Sequence, residues 1–166
     1  DGQYERSIGY YQAILVMQPD NPDILLELGR VYQKDGKYSE AVDAFKQAVA
    51  IDPERTDLQE ELKLAEKWTS EIDETIKNLR RRIALNQSDI QNYLSLGQAF
   101  RWSGQVKESE KIYKAALQKD PDNVPLLYGY AQILEEKNDL EGAQEKYKRI
   151  LELKPDFMDA TLSLKR

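Results

Sequence analysis

The chain has 166 residues, 40% of them hydrophobic and 33% charged, with a formal charge of −6 and a pI near 4.9. It contains no His and no Cys, which excludes the usual zinc sites, Ser-His-Asp triads, Cys-His pairs and any disulfide framework. The negative balance opposes phosphate, so nucleic acid is not an expected partner.

Residues 1–21 read as one helix, with Ile8, Tyr11, Ile14 and Leu15 at helical steps ahead of Pro19. Asn21-Pro22-Asp23 starts the next: Asn can cap, Pro suits the first turn, and Asp sits at the positive end of the macrodipole. Its stripe is Leu25, Leu28, Val31 and Tyr32, and Asp35-Gly36 ends it because Gly tolerates a left-handed exit. A second stripe, Tyr38, Ala41, Val42, Phe45, Ala48 and Val49, runs to Asp52-Pro53. Two helices on so short a connection lie antiparallel, with Gly29 and Ala41 small where they approach. Residues 90–123 and 124–157 repeat this pattern, and 158–166 start it again.

The repeat is thirty-four residues long, with no insertion. One column reads Leu28-Gly29, Leu62-Lys63, Leu96-Gly97 and Tyr130-Ala131. The turn column reads Gly2, Gly36, Ser70, Gly104 and Asn138, followed by a small column of Ser7, Ala41, Thr75, Ser109 and Ala143. A large column, Tyr11, Phe45, Leu79, Tyr113 and Tyr147, precedes a closing column of Pro19, Pro53, Gln87, Pro121 and Pro155.

Residues 56–89 depart from the pattern, and two readings stand. Ser70 can cap a second helix with Glu71, Asp73 and Glu74 in its first turn, or Thr56 to about Leu85 can form one long helix. The preserved spacing favours the helix pair. Arg82 is out of place in either case, because its column otherwise holds Ile14, Ala48, Ala116 and Ile150.

No run approaches the roughly 18 apolar residues of a membrane span. The acidic pairs Glu60-Glu61, Asp73-Glu74 and Glu135-Glu136 read as solvated helix faces, and every Gly is isolated, so no phosphate loop is present. Lys77 with Arg80, Arg81 and Arg82 reads as a solvated face neutralised by Glu71, Asp73 and Glu74, or else as a contact for an acidic or phosphorylated partner. Neither catalysis, a cofactor nor a metal is expected.

These columns resemble the tetratricopeptide repeat, with residues 56–89 the poorest match. The resemblance implies an all-α fold: a right-handed superhelical solenoid of antiparallel helix pairs, here one array over 1–166. It further implies protein binding on a concave surface lined by the first helix of each pair. Projected that way, the surface carries Asp23, Leu26, Glu27, Arg30 and Lys34, then Asp57, Glu60, Glu61, Leu64 and Trp68. Further along come Gln91, Leu94, Ser95, Gln98, Arg101 and Trp102, then Tyr128, Gly129, Gln132 and Glu136, then Leu162. The candidate contacts are Leu26, Arg30, Leu64, Trp68, Leu94, Gln98, Arg101, Trp102, Tyr128 and Gln132. The two Trp share a column and are either peptide anchors or packed over their own turns.

In a subgroup of the family, Lys, Arg and Asn along the groove grip the C-terminal carboxylate of chaperones. The matching places here hold Leu26, Arg30, Glu61, Gln91 and Ser95, so that partner is not expected. The expectation is a non-catalytic scaffold for a peptide or partner helix within a larger assembly protein. Two alternatives are an accessory domain of an enzyme and a self-assembly module. The pattern opens and closes mid-repeat, so the array is expected to continue in the parent chain, and exposed apolar ends are expected to self-associate.

Overall fold

The computed structural model describes residues 2–164, and these form helices with no strand. In chain order they are α1 (Gly2–Met17), α2 (Pro22–Lys34), α3 (Tyr38–Ile51), α4 (Thr56–Leu85), α5 (Ile90–Trp102), α6 (Val106–Lys119), α7 (Val124–Glu136), α8 (Leu140–Leu153) and α9 (Met158–Ser163). The all-α class expected from the repeat is the observed one.

The helix boundaries follow from local chemistry. The Asn21 side chain accepts from the backbone N–H groups of Asp23 and Ile24 at 3.1 and 3.2 Å, with Pro22 opening the first turn. Asn123 accepts from the Leu126 N–H at 3.1 Å in the same manner. The turns α2–α3, α5–α6 and α7–α8 share one geometry. Gly36, Gly104 and Asn138 adopt φ of 76°, 73° and 61°. The N–H of the next residue reaches back into the last turn of the preceding helix: Lys37 to Tyr32, Gln105 to Phe100 and Asp139 to Leu134, at 2.8–2.9 Å.

Ser70, in the same column, does not turn. Residues 56–85 form a single helix, which corrects the helix pair that the spacing favoured. The reason lies in the inward columns. Gly29, Gly97 and Ala131 are buried, but Lys63 replaces them; Phe100 and Leu134 are buried, but Glu66 replaces them. In the second half, Thr75 stands for buried Ala41, Ser109 and Ala143, and Arg82 for buried Ala48, Ala116 and Ile150. Folding α4 back on itself would press Lys63, Glu66 and Arg82 into an apolar contact, at a cost of several kcal/mol per unpaired ion. Along the single helix Lys63, Glu66, Thr75 and Arg82 are all exposed.

The chain divides into two compact units, Asp1–Glu74 with Trp102–Gly104, and Thr75–Arg101 with Gln105–Arg166. The core of the first gathers Leu25, Leu26, Ala41, Phe45, Ala48, Leu58 and Ala65. Phe45 is fully buried, and its ring occupies the space a Cβ on Gly29 would need. Gly29 is therefore small to admit a ring, where the sequence had suggested a close approach of two backbones.

The second core gathers Tyr93, Tyr113, Leu126, Ile133, Tyr147 and Ile150. Tyr113 lies between α5 and α7: a Cβ on Gly97 would stand 2.7 Å from its Cζ, and one on Gly129 2.6 Å from the ring. Burial pushes the Tyr113 phenol up to about 12. Beside it the buried Ser109 hydroxyl donates to the Gly97 carbonyl at 2.7 Å, tying α6 to α5.

Candidate protein-interaction faces

In the first unit, side chains at three- and four-residue steps along α2 and α4 share one side. Arg30 on α2 joins the two helices: its Nε and Nη2 donate to Glu61 Oε1 at 2.9 and 2.7 Å, and Nη1 donates to Glu27 at 2.8 Å. Hydrogen bonding to Glu61, then to Glu27, holds the guanidinium above its ordinary pKa. At the start of α4, Arg55 bonds both oxygens of Asp57, at 3.0 and 2.7 Å, and Asp23 Oδ1 at 2.5 Å. Arg55 in turn holds the Asp57 carboxyl below its usual range. Both Arg side chains are thus shared between two carboxylates.

Further along α4 the face becomes apolar. Leu64 is 42% exposed, and one turn on, the half-buried Trp68 meets the Tyr38 ring edge-on with centroids 5.8 Å apart. Trp102 meets the same ring at 6.3 Å and 85°. Its indole also lies against Gly36, where a Cβ would stand 3.2 Å from its Cδ1 and Nε1, yet 38% of the residue is exposed. Gly36 therefore makes the left-handed turn and seats the indole. The column had placed the two Trp one repeat apart, and the structure brings both onto Tyr38. Sequence reasoning assigned Tyr38 only to the core stripe. Its column holds Tyr4, Ile72, Val106 and Leu140, which reads as an ordinary large apolar column and carries no signal of a surface aromatic.

Other candidates divide between face and core. Leu26, 6% exposed, belongs to the first core. In the second unit Leu94 and Tyr128 are half-buried against the core, Tyr128 packing on Phe157 at 5.3 Å and Tyr147 at 6.1 Å. Gly129 faces inward to Tyr113. Gln98 is exposed. Arg101 and Gln132 are brought together: Arg101 Nε donates to Glu136 Oε1 at 2.6 Å and Nη1 to Gln132 Oε1 at 3.5 Å. Each unit therefore ties an Arg of one first helix to a carboxylate of the next.

Among the described residues no helix is long and apolar enough to cross a membrane. No group of three or more His, Cys, Asp or Glu in that range could hold a metal ion.

Helix pairs recurring every thirty-four residues and closed by left-handed turns define an all-α repeat protein. The chain belongs to the tetratricopeptide repeat family, whose models match residues 1–56 and 100–165. The stretch between the matches holds nearly all of α4. A comparison with curated proteins finds no match. Among solved structures, the chain is similar to YrrB, a tetratricopeptide repeat protein with an unusual peptide-binding site, at 23% identity and a TM-score of 0.55, over 99% of this chain and 85% of that one. A thermophilic repeat protein of Thermus thermophilus gives 20% identity and a TM-score of 0.56 over 99% and 90% of the two chains. MamA gives 24% and 0.50 over 95% and 92%. The fold is that of protein-interaction scaffolds.

Proposed function

We propose that this chain is a protein-interaction scaffold, without catalytic chemistry of its own, that holds a peptide or partner helix on the first-helix faces of its repeats. The observation that carries the reading is Trp102, which is fixed against Gly36 and Tyr38 and still 38% exposed. A large ring already held in place loses little conformational freedom on binding, the property of an anchor residue. Leu64 and Trp68 extend that apolar surface, and Arg30 borders it; Gln98, Arg101 and Gln132 are the corresponding contacts of the second unit. The peptide-binding site of the similar YrrB is in keeping with this reading. A chaperone C-terminal carboxylate is not the proposed cargo, because Arg30 is already held by Glu61 and Glu27.

Site-specific photocrosslinking tests the proposal. A photoreactive amino acid at Leu64 should capture a discrete partner in extracts of the parent organism, while the same group at exposed Lys111 on α6 should not. Equal capture from both positions, or none from Leu64, would overturn it.

A second reading rests on apolar side chains left exposed on α1 and α9: Tyr10 at 66%, Val16 at 84%, Met17 at 83%, Met158 at 73% and Leu162 at 54%. These faces favour self-association. Sedimentation should then show oligomers that Tyr10→Glu dissolves, and a monomer at high micromolar concentration would remove this reading.

A further inference from the structure

The first unit is far more acidic than the chain as a whole. Residues 1–74 hold seventeen Asp and Glu against eight Lys and Arg, and 102–104 hold neither, which leaves −9. The second unit holds thirteen against sixteen, which leaves +3. On the face formed by α2 and α4 the carboxylates are Asp23, Glu27, Asp57, Glu60 and Glu61. Two of the facing cations, Arg30 and Arg55, are each bound to two of these carboxylates. Lys34 stands at the far, aromatic end of α2, and on α4 Lys63 and Lys67 follow Glu60 by three and seven residues, Lys67 lying 3.8 Å from Glu71. Glu60 is exposed and belongs to no ion pair among the described residues.

We propose that the segment held on the first unit is basic: a polypeptide stretch with Lys or Arg over Asp57, Glu60 and Glu61, and an apolar side chain seated on Leu64, Trp68 and Trp102. This rests on the peptide-holding reading above and adds the chemistry of the partner. An acidic segment would meet five carboxylates, with Arg30 and Arg55 already engaged. A basic one gains attraction from the carboxylates, and its cations can also lie over the indole faces. The field of a −9 body draws such a segment in from a distance of about 10 Å at about 0.1 M salt, and from farther at lower salt. Geometry sets the spacing. Glu61 and Trp68 are seven residues apart on α4, about 10 Å of helix, which an extended chain covers in about three residues. The apolar anchor and the nearest Lys or Arg of the partner therefore stand about three positions apart.

The test is a selection of random dodecapeptides displayed on phage against the intact chain, followed by anisotropy titration of the best peptide. Enriched peptides should be net positive, with a large apolar residue about three positions from Lys or Arg. Their affinity should fall about tenfold or more between about 50 and about 500 mM salt. Glu60→Lys should weaken binding about threefold or more with an unchanged melting temperature, and Leu64→Lys should abolish it. Enriched peptides that are neutral or acidic and still need Leu64, or basic ones indifferent to Glu60→Lys, would overturn the basic partner while leaving the peptide-holding reading in place. If no peptide is enriched, or if binding survives Leu64→Lys, that reading fails and this proposal with it.

Discussion

Replacing Gly97 by Ala tests the packing of the second core through the sign of its effect. In an unobstructed helix the change stabilises by about 0.5–1 kcal/mol, because Gly loses more backbone freedom on folding. At Gly97 the new Cβ would stand 2.7 Å from Tyr113 Cζ, 2.8 Å from Cε2 and 3.0 Å from Cε1. The ring has no retreat: Tyr113 is fully buried, and a Cβ at Gly129 would already be 2.6 Å from it. Overpacking of this kind costs about 1–3 kcal/mol, so the net expectation is a loss of about 1–2 kcal/mol. Gly9 in α1 has nothing within 4 Å of its Cβ position, so Gly9→Ala should stabilise by about 0.5–1 kcal/mol. Urea unfolding followed by far-ultraviolet circular dichroism measures both. In a Tyr113→Leu background the penalty at Gly97 should vanish, a coupling of about 1 kcal/mol or more. If Gly97→Ala stabilises as Gly9→Ala does, the account of Tyr113 wedged between two glycines is wrong.

Ser70→Ala distinguishes one helix from two: within the continuous α4 it should stabilise by about 0.5 kcal/mol, whereas loss of an N-cap costs about 1 kcal/mol, and thermal melts report the sign. Alkali should unfold the protein in step with its buried phenols. Because burial raises the Tyr113 pKa, its contribution is present below the ordinary phenol value of about 10 and is lost as pH rises toward about 12. Tyr113→Phe should flatten the stability profile over that window. On the acid side, hydrogen bonds from Lys114 and Lys137 hold the Glu110 carboxyl below its usual range. That contribution is present above the ordinary value of about 4.3 and disappears as pH falls through the lower folded value. Glu110→Gln should therefore flatten the acid limb, and an unchanged acid midpoint would refute it.

Much of the fold was legible because its signals are local. Asn21 and Pro22 start α2 where a cap and a first-turn proline belong, and Gly36, Gly104 and Asn138 turn the chain where the repeat places them. Ser70 misled because a capping residue followed by acidic residues is also an ordinary solvated stretch of helix. The better indicators were Arg82 and Glu66, each charged in a column that is otherwise apolar, since those columns mark the contact a helix pair must bury. The candidate faces were less legible. Leu26 and Tyr128 occupy the expected columns but are drawn into the cores, because a first helix packs against more than one neighbour and its buried arc is wide.

The sequence by itself determined the helical class, the repeat length, the helix ends outside residues 56–89, and the net negative charge. These depend on backbone preference, on the period with which side chains avoid water, and on charge, all of which can be read along one dimension. Tertiary structure alone decided that Trp68 and Trp102 meet on Tyr38, that Gly36 seats an indole, that Tyr113 fills the space of two glycines, and that Arg30 and Arg101 are engaged by carboxylates on the next first helix. Periodicity reports that a side chain leaves water. Which atoms then receive it depends on how helices distant in sequence pack together in space.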